Sequence, residues 1–488
     1  MNETPTFAVV GAVNHGKSSV ISTLAENDQV RVSAMPGETV DCQRFSLGEL
    51  FVFFDTPGFQ NAREALAELR AAAQAREPLA LFADFVARHR GEPDFDAECR
   101  LFEPVVGGAG IVYVVDGSRP LLDLHLAEME LLRLTGAPRM ALINRTGRDD
   151  HVADWKRRLG MHFNAVRQFD AHHASFADRI ELLETLAGIE QGWKPRLMQA
   201  VAVLRQDWAG RLDEAAELIV QLLADVLQHR ETAPPAEGPE AEAVAEQLRQ
   251  RFMAAIAARE ARAHAALIAL FGHRRVKAGA ATEPLFADGL FSEDTWSLLG
   301  LDARQLLAAG AAAGAVVGAG ADAMTAGATL LAGSAIGAAV GAAGALMLGK
   351  RRPEIAVRLP RGPLPEPLSM LLPSQLRLGG ASLVVGPYAA PNFPWIVLDR
   401  AVGTLAYVMH RAHARRDEVT LGAGQLQSLL ADTGLASAQW PEAARRSCEQ
   451  AFARLRRDRL EPQDREALRA AIRAQIDRLG ERRPDAPG

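Results

Sequence analysis

The sequence predicts an α/β chain: a mostly parallel sheet with flanking helices at the N-terminus, then a mainly α-helical C-terminal region. Three observations predict it. Short apolar runs alternate with helical patterns across roughly the first 190 residues. A glycine-rich loop joins the first of those runs to a helix. Beyond that, apolar residues recur at helical spacing, broken by a long uncharged glycine and alanine stretch.

The strands come first. Phe7-Ala8-Val9-Val10 ends in the glycine loop, and Leu50-Phe51-Val52-Phe53-Phe54 ends at Asp55. Ile111-Val112-Tyr113-Val114-Val115 ends at Asp116, and Met140-Ala141-Leu142-Ile143 ends at Asn144. Continuous apolar runs of this length suit strands buried on both faces. Helical patterns between them imply parallel pairing with right-handed crossovers. Residues 62–100 look helical and mixed in charge, and read as an insertion in a domain spanning 1–190.

A helical hairpin region is expected over 191–300. Leu212, Ala215, Ile219, Leu222 and Val226 mark its first amphipathic helix, within 193–228. A proline-rich turn over 232–239 precedes a second helix over 241–271. Residues 301–352 read as an apolar hairpin. Residues 353–488 begin rich in proline and glycine and end in an arginine-rich helical region, expected as a mostly helical C-terminal domain.

At 488 residues the chain has room for two or three domains. Its apolar content of 48% and charged content of 23% are those of a globular protein. The net charge of −6 argues against a nucleic-acid-coating role, so no specific nucleic-acid partner is expected. Cys42, Cys99 and Cys448 are far apart and form no CxxC pair, so a zinc site or disulfide framework is not expected. Reduced thiols fit a cytosol. The N-terminus shows no secretory pattern, and a cytoplasmic location is expected.

Gly11-Ala-Val-Asn-His-Gly16-Lys17-Ser18 matches GxxxxGK[ST] between a strand and a helix, the context that motif requires. Glycines let backbone amides curl around phosphates, and the helix N-terminus adds its positive end. Gly11, Asn14, His15, Gly16, Lys17, Ser18 and Ser19 would surround the phosphates. Lys17 would neutralise the β- and γ-phosphates, and Ser18 would hold Mg²⁺. Asp55-Thr-Pro-Gly58 places a carboxylate for the metal shell and a Gly58 N–H for the γ-phosphate. Thr39, in Pro36-Gly-Glu-Thr39, is the candidate hydroxyl that closes over Mg²⁺. A catalytic set of Lys17, Asn14, Thr39 and Gly58 follows, with Ser18, Thr39 and Asp55 as metal ligands.

These residues resemble the Era/TrmE class of bacterial GTPases over about the first 170 residues. The whole chain is similar to predicted bacterial GTPases with a C-terminal domain of unknown function. That likeness rests on Leu142-Ile-Asn-Arg-Thr-Gly147, on Trp155, Leu159-Gly-Met-His162 and Phe169-Asp170, and on the glycine-rich segment. It rests too on Asn392-Phe-Pro-Trp-Ile-Val-Leu-Asp-Arg400 and Arg411-Ala-His-Ala-Arg-Arg416. The resemblance implies binding of GTP and GDP with Mg²⁺ and slow intrinsic hydrolysis. It also implies K⁺ activation through Asn14, whose alternative is a structural asparagine.

Two departures bear on that. The guanine-reading motif is Asn-Lys-x-Asp, and here Asn144-Arg145-Thr146-Gly147 keeps the asparagine but lacks the carboxylate. Asn144 and Arg145 remain the base-side candidates, with Asp149 or Asp150 as substitutes for the lost acid. In Ras-like proteins a glutamine follows DxxG; here it is Phe59, with Gln60 the next polar residue. His172 and His173 read as surface residues.

The uncharged stretches 305–321 and 323–349 flank Asp322, and glycines at 310, 314 and 318, then 333, 337 and 341, give small-xxx-small spacing. Each stretch is near the ~20 residues that span a bilayer. Lys350-Arg351-Arg352 follows, as expected at a cytoplasmic surface. Alanine and glycine gain little in lipid, so a glycine-zipper hairpin packed inside the protein is the competing reading. The interleaved charges after Arg445 read as a solvated helix face. The expectation is thus a GTPase switch associated with the inner membrane through 305–349, in some states a nucleotide-dependent dimer. The alternatives are a soluble ribosome- or RNA-linked GTPase and a non-hydrolysing nucleotide-dependent scaffold.

Overall fold

The computed structural model describes residues 4–12, 14–24, 43–47, 50–73, 77–145, 147, 150–171, 174–234, 240–271, 286, 289–301, 305, 353, 355–358, 382–410 and 422–481. Thr39, Asp149, His172, His173, the 306–352 stretch and residues 411–416 lie outside them.

The expected α/β domain is present. Its six strands are β1 (Thr6–Val10), β2 (Gln43–Leu47), β3 (Phe51–Asp55), β4 (Gly110–Asp116), β5 (Arg139–Asn144) and β6 (Ala165–Gln168). They lie in the order β2-β3-β1-β4-β5-β6. Only β2 runs antiparallel, pairing with β3 at the edge.

Strand periodicity explains the two cores. Ala8, Val10, Ile111, Tyr113 and Val115 face one side of the sheet, while Phe7, Val9, Val112 and Val114 face the other. All of these are buried, so β1 and β4 read as unbroken apolar runs. The first face is covered by α2 (Ala62–Ala72), α3 (Pro78–His89), α4 (Asp96–Val106), α5 (Asp123–Leu134) and α6 (Val152–Leu159). The second is covered by α1 (Lys17–Leu24), α7 (Phe176–Ile189) and the start of α8 (Lys194–Leu227).

Helices α2 to α4 all fall between β3 and β4, and α4 runs on to Val106. In α3 and α4 an aromatic cluster forms in which Phe82 meets Phe102 edge on, ring centroids 4.7 Å apart.

A second compact unit contains the described residues within Arg211–Phe271, 286–408 and 422–481. Leu212, Ala215, Ile219, Leu222 and Val226 are all buried, as their spacing predicts. Beyond α8 come β7 (Glu231–Ala233), α9 (Glu240–Leu270), α10 (Glu293–Leu298), β8 (Ile355–Arg358) and β9 (Ser382–Val385). The helices α11 (Phe393–His410), α12 (Ala423–Thr433), α13 (Glu442–Arg456) and α14 (Pro462–Glu481) follow.

The three short strands form an antiparallel sheet in the order β7-β9-β8. Sequence reasoning missed it, because strands of three or four residues drawn from distant parts of the chain leave no periodic signal.

The Asn392 to Arg400 motif acquires a structural role in this unit. Asn392 Oδ1 accepts from the Leu301 amide (2.9 Å), and Asp399 accepts from the Gly300 and Ser437 amides at 2.8 Å each. Burial pushes the Asp399 carboxyl up to about 6. Gly300 has φ +83, and a Cβ there would fall 2.3 Å from Asn392 Oδ1. Arg400 pairs with buried Glu260 (2.6 Å) and lies 4.2 Å from the centre of the Phe286 ring. Removing one partner of such a buried pair would strand a charge. Among the described residues no helix is long and apolar enough to cross a membrane.

Candidate functional site

Strand β1 is central, between β3 and β4, so the loop that leaves it opens beside two further strand ends. Gly11 has φ +145, and a Cβ there would lie 2.2 Å from the Val114 carbonyl oxygen. Only glycine fits where the loop crosses β4. Asn14 takes φ +63 and Gly16 φ +87, which curl the loop into the start of α1. The Val20 amide donates to the Gly16 carbonyl at 3.0 Å, so the helix ladder starts at the motif.

Lys17 Nζ lies across this loop, donating to the Gly11 carbonyl (3.1 Å) and the Ala12 carbonyl (3.0 Å). Burial pulls its ammonium below the usual lysine value, opposed by the charges of Asp55 and Glu128. Ser18 Oγ donates to Asp55 Oδ2 at 2.6 Å across 37 residues of sequence. Burial pushes the Asp55 carboxyl up, while Ser18 and Lys17 pull it back. Asp55 Oδ1 is buried with no hydrogen bond among the described residues. A hydroxyl and a half-satisfied carboxylate are hard oxygen donors, the chemistry Mg²⁺ selects. These residues therefore fit the metal that a phosphate loop implies.

Asp55 is followed by Thr56, whose hydroxyl donates to the Val9 carbonyl at 2.8 Å and ties Asp55-Thr-Pro-Gly58 to β1. Ser19 and Gly58 are buried within these elements, and the Asn14 side chain is exposed on the loop. Phe59 is 5% exposed and turned into the core, whereas the Gln60 side chain points outward.

At the other end, β5 brings Asn144 beside the same loop. Asn144 Nδ2 donates to the His15 carbonyl (3.4 Å), and Oδ1 accepts from the Ala171 amide (3.0 Å). Asn144 is thus a fully buried tie between two loops. Arg145 is exposed beside it. Asp150, one substitute for the missing acid, accepts from the Val152 amide, the first of α6, at 3.1 Å.

His15 is a buried spacer, its ring centroid 5.3 Å from that of His125. Burial pulls it down to about 3, so it stays neutral.

Two residues were missed in the sequence. Glu128 on α5 accepts from the Tyr113 hydroxyl at 2.7 Å, is fully buried and acts on Lys17. Burial pushes it up to about 7. Glu98 on α4 accepts from two amides just beyond Gly58. No motif marks either glutamate, since a lone acid inside an amphipathic helix reads as solvated.

A nucleotide-phosphate loop on this sheet defines a GTPase domain. Residues 6–101 match the family described as 50S ribosome-binding GTPase. Residues 156–481, well over half of the chain, match the family described as Domain of unknown function (DUF3482), and the chain belongs to that family. The domain is similar to the "Probable GTP-binding protein EngB" of Dechloromonas aromatica, at 27% identity over 195 residues, which are 38% of this chain and 73% of that protein. It is 38% identical over 63 residues to the protein of the same description from Bdellovibrio bacteriovorus, covering 13% of this chain and 32% of that protein.

Proposed function

We propose that this protein is a Mg²⁺-dependent GTPase that converts GTP to GDP and phosphate and acts as a membrane-associated molecular switch. The observation that carries the reading is the placement of Lys17, Ser18 and Asp55 around one glycine-bounded loop, with the Ser18–Asp55 bond at 2.6 Å. Lys17 offsets phosphate charge as it develops. Ser18, Asp55 and Thr39 would hold Mg²⁺, which supplies charge neutralisation and alignment of the phosphates. The Gly58 amide faces the γ-phosphate, and Gly11 to Ser19 wrap the remainder.

Phe59 is buried, so no side chain directly after Gly58 orients water, and turnover rests on positioning and charge. Exposed Asn14, bent into a left-handed conformation, is the residue that would hold K⁺, as the Era/TrmE resemblance implies. Guanine preference is supported by the GTPase likeness; Asn144 and Arg145 are the residues at the base end. The 305–349 stretch, whose one charge is Asp322, supports a lipid contact on the cytoplasmic side of the inner membrane. A ribosome-linked role is the second reading, favoured by the description of the family matched over 6–101.

Phosphate release from GTP and ATP tests this, in Mg²⁺ or EDTA, in K⁺ or Na⁺, with and without liposomes. Release from GTP that needs Mg²⁺ and rises about tenfold in K⁺ is the expected result. Background release under every condition would leave a nucleotide-dependent scaffold.

A further inference from the structure

The chain just after Gly58 is gripped from outside the sheet. The Gln60 and Asn61 amides both donate to Glu98 Oε1, at 2.7 Å each. Glu98 is fully buried in the first turn of α4. The Asn61 side-chain amide donates to the Asp94 carbonyl, just before α4. Phe59 meets Phe102 of α4 edge on, with ring centroids 6.2 Å apart. Three consecutive residues are therefore held by the helical insertion.

The start of α2 explains part of this. The first amides of a helix lack intrahelical partners, and Asn61 makes no side-chain cap bond. A glutamate three residues on, reaching back to the cap amide, would be the local solution. Here the acceptor is a buried carboxylate 37 residues downstream. A buried charge is costly unless well bonded, and Glu98 Oε2 is buried with no hydrogen bond among the described residues. A charged acceptor also grips amides about twice as strongly as a neutral one. So costly a group, spent on two amides next to Gly58, does more than finish a helix.

We infer that Glu98 is a positioning residue: through the Gln60 and Asn61 amides it fixes the Gly58 backbone that faces the γ-phosphate of GTP. The insertion then performs from the protein's side part of what an orienting glutamine does elsewhere. Phe59 is the apolar half of the same grip, which accounts for a phenylalanine at that position. This rests on the hydrolysis reading above. Among the described residues, those that bind the nucleotide, Lys17 and Ser18 among them, make no hydrogen bond to Glu98, so affinity and turnover should separate.

Three full-length variants decide it. Glu98→Ala removes the acceptor, Glu98→Asp draws it back by one methylene, and Glu98→Gln keeps an acceptor oxygen. Glu98→Ala should lower kcat about 10²-fold, the scale of a misplaced or lost stabilising donor, with KM and GDP affinity within about threefold. Glu98→Asp should lower kcat about tenfold, and Glu98→Gln should recover most of the loss. Hydrogen exchange in the GDP-bound protein should be faster over 59–61 in Glu98→Ala and Glu98→Asp. A kcat loss below about fivefold in Glu98→Ala, or unchanged exchange over 59–61, overturns the inference. Should Glu98→Ala fail to fold, wild-type kcat or wild-type exchange in Glu98→Asp overturns it equally. The two failures are distinct: absence of phosphate release in the wild-type chain sinks the hydrolysis reading, whereas equal exchange over 59–61 sinks the role of Glu98.

Discussion

The two ends of the candidate site are built differently. At the phosphate end, Gly11, Gly16, Lys17 and Ser18 are close in the chain, and one long-range bond, from Ser18 to Asp55, completes the constellation. At the base end, Asn144 is the centre, and both of its amide atoms serve the protein: one donates to His15 and the other accepts from Ala171. Phosphates are read by backbone amides and fixed charges, which a short contiguous motif encodes. A base is read by side-chain edges that several loops must bring together. Here the expected acid is missing, and Asp150 bonds the first amide of α6. The phosphate end is therefore a binding device, and the base end is first a brace between loops.

Replacing Lys17 is the strongest way to break that comparison. Lys17→Ala removes a buried ammonium and its charge-assisted bonds, each worth roughly 1.5–3 kcal/mol. Labelled-GDP titration should show affinity falling about 10³-fold, close to 4 kcal/mol. Affinity within threefold of the wild type would mean that the loop does not hold phosphate.

Glu128 sharpens the electrostatics of the same end. Its folded value of about 7 lies above its ordinary 4.5. The folded state therefore binds the proton more tightly. Its contribution to stability is fully present below 4.5 and is lost as pH rises through 7. The span is worth about 3 kcal/mol. Urea unfolding of wild type and Glu128→Gln across this range should give curves that diverge by that amount, with the wild type losing ground as pH rises. Parallel curves would show that Glu128 is ionised at little cost.

The smallest effect tests the brace. Asn144→Ala leaves the His15 carbonyl and the Ala171 amide without their partner, a loss of about 1–3 kcal/mol. Thermal unfolding should report it, and GTP and ATP affinity should weaken together. A loss of GTP preference at unchanged stability would instead make Asn144 a base reader before it is a brace.

Much of this was legible. The apolar runs at Phe7, Phe51, Ile111 and Met140 became β1, β3, β4 and β5, because strands buried on both faces have no polar alternation to obscure them. The stripe through Leu212 and Val226 became a buried helix face. The short β7, β8 and β9 were not legible, nor were Glu98 and Glu128, since burial is a property of the assembled fold. Asn392, Asp399 and Arg400 could be read as a signature but not as a network; their partners, Leu301, Gly300 and Glu260, lie far away in sequence.

The sequence by itself determined the phosphate loop, its strand and helix, and the class of ligand, because those follow from local backbone geometry and adjacent charges. Only the tertiary structure decided what became of the polar groups. It set Ser18 against Asp55, spent Asn144 on loop ties, and turned Phe59 and Glu98 toward each other's elements. The reason is physical: a buried polar atom must find a partner wherever the fold supplies one, and sequence distance places no limit on where that is.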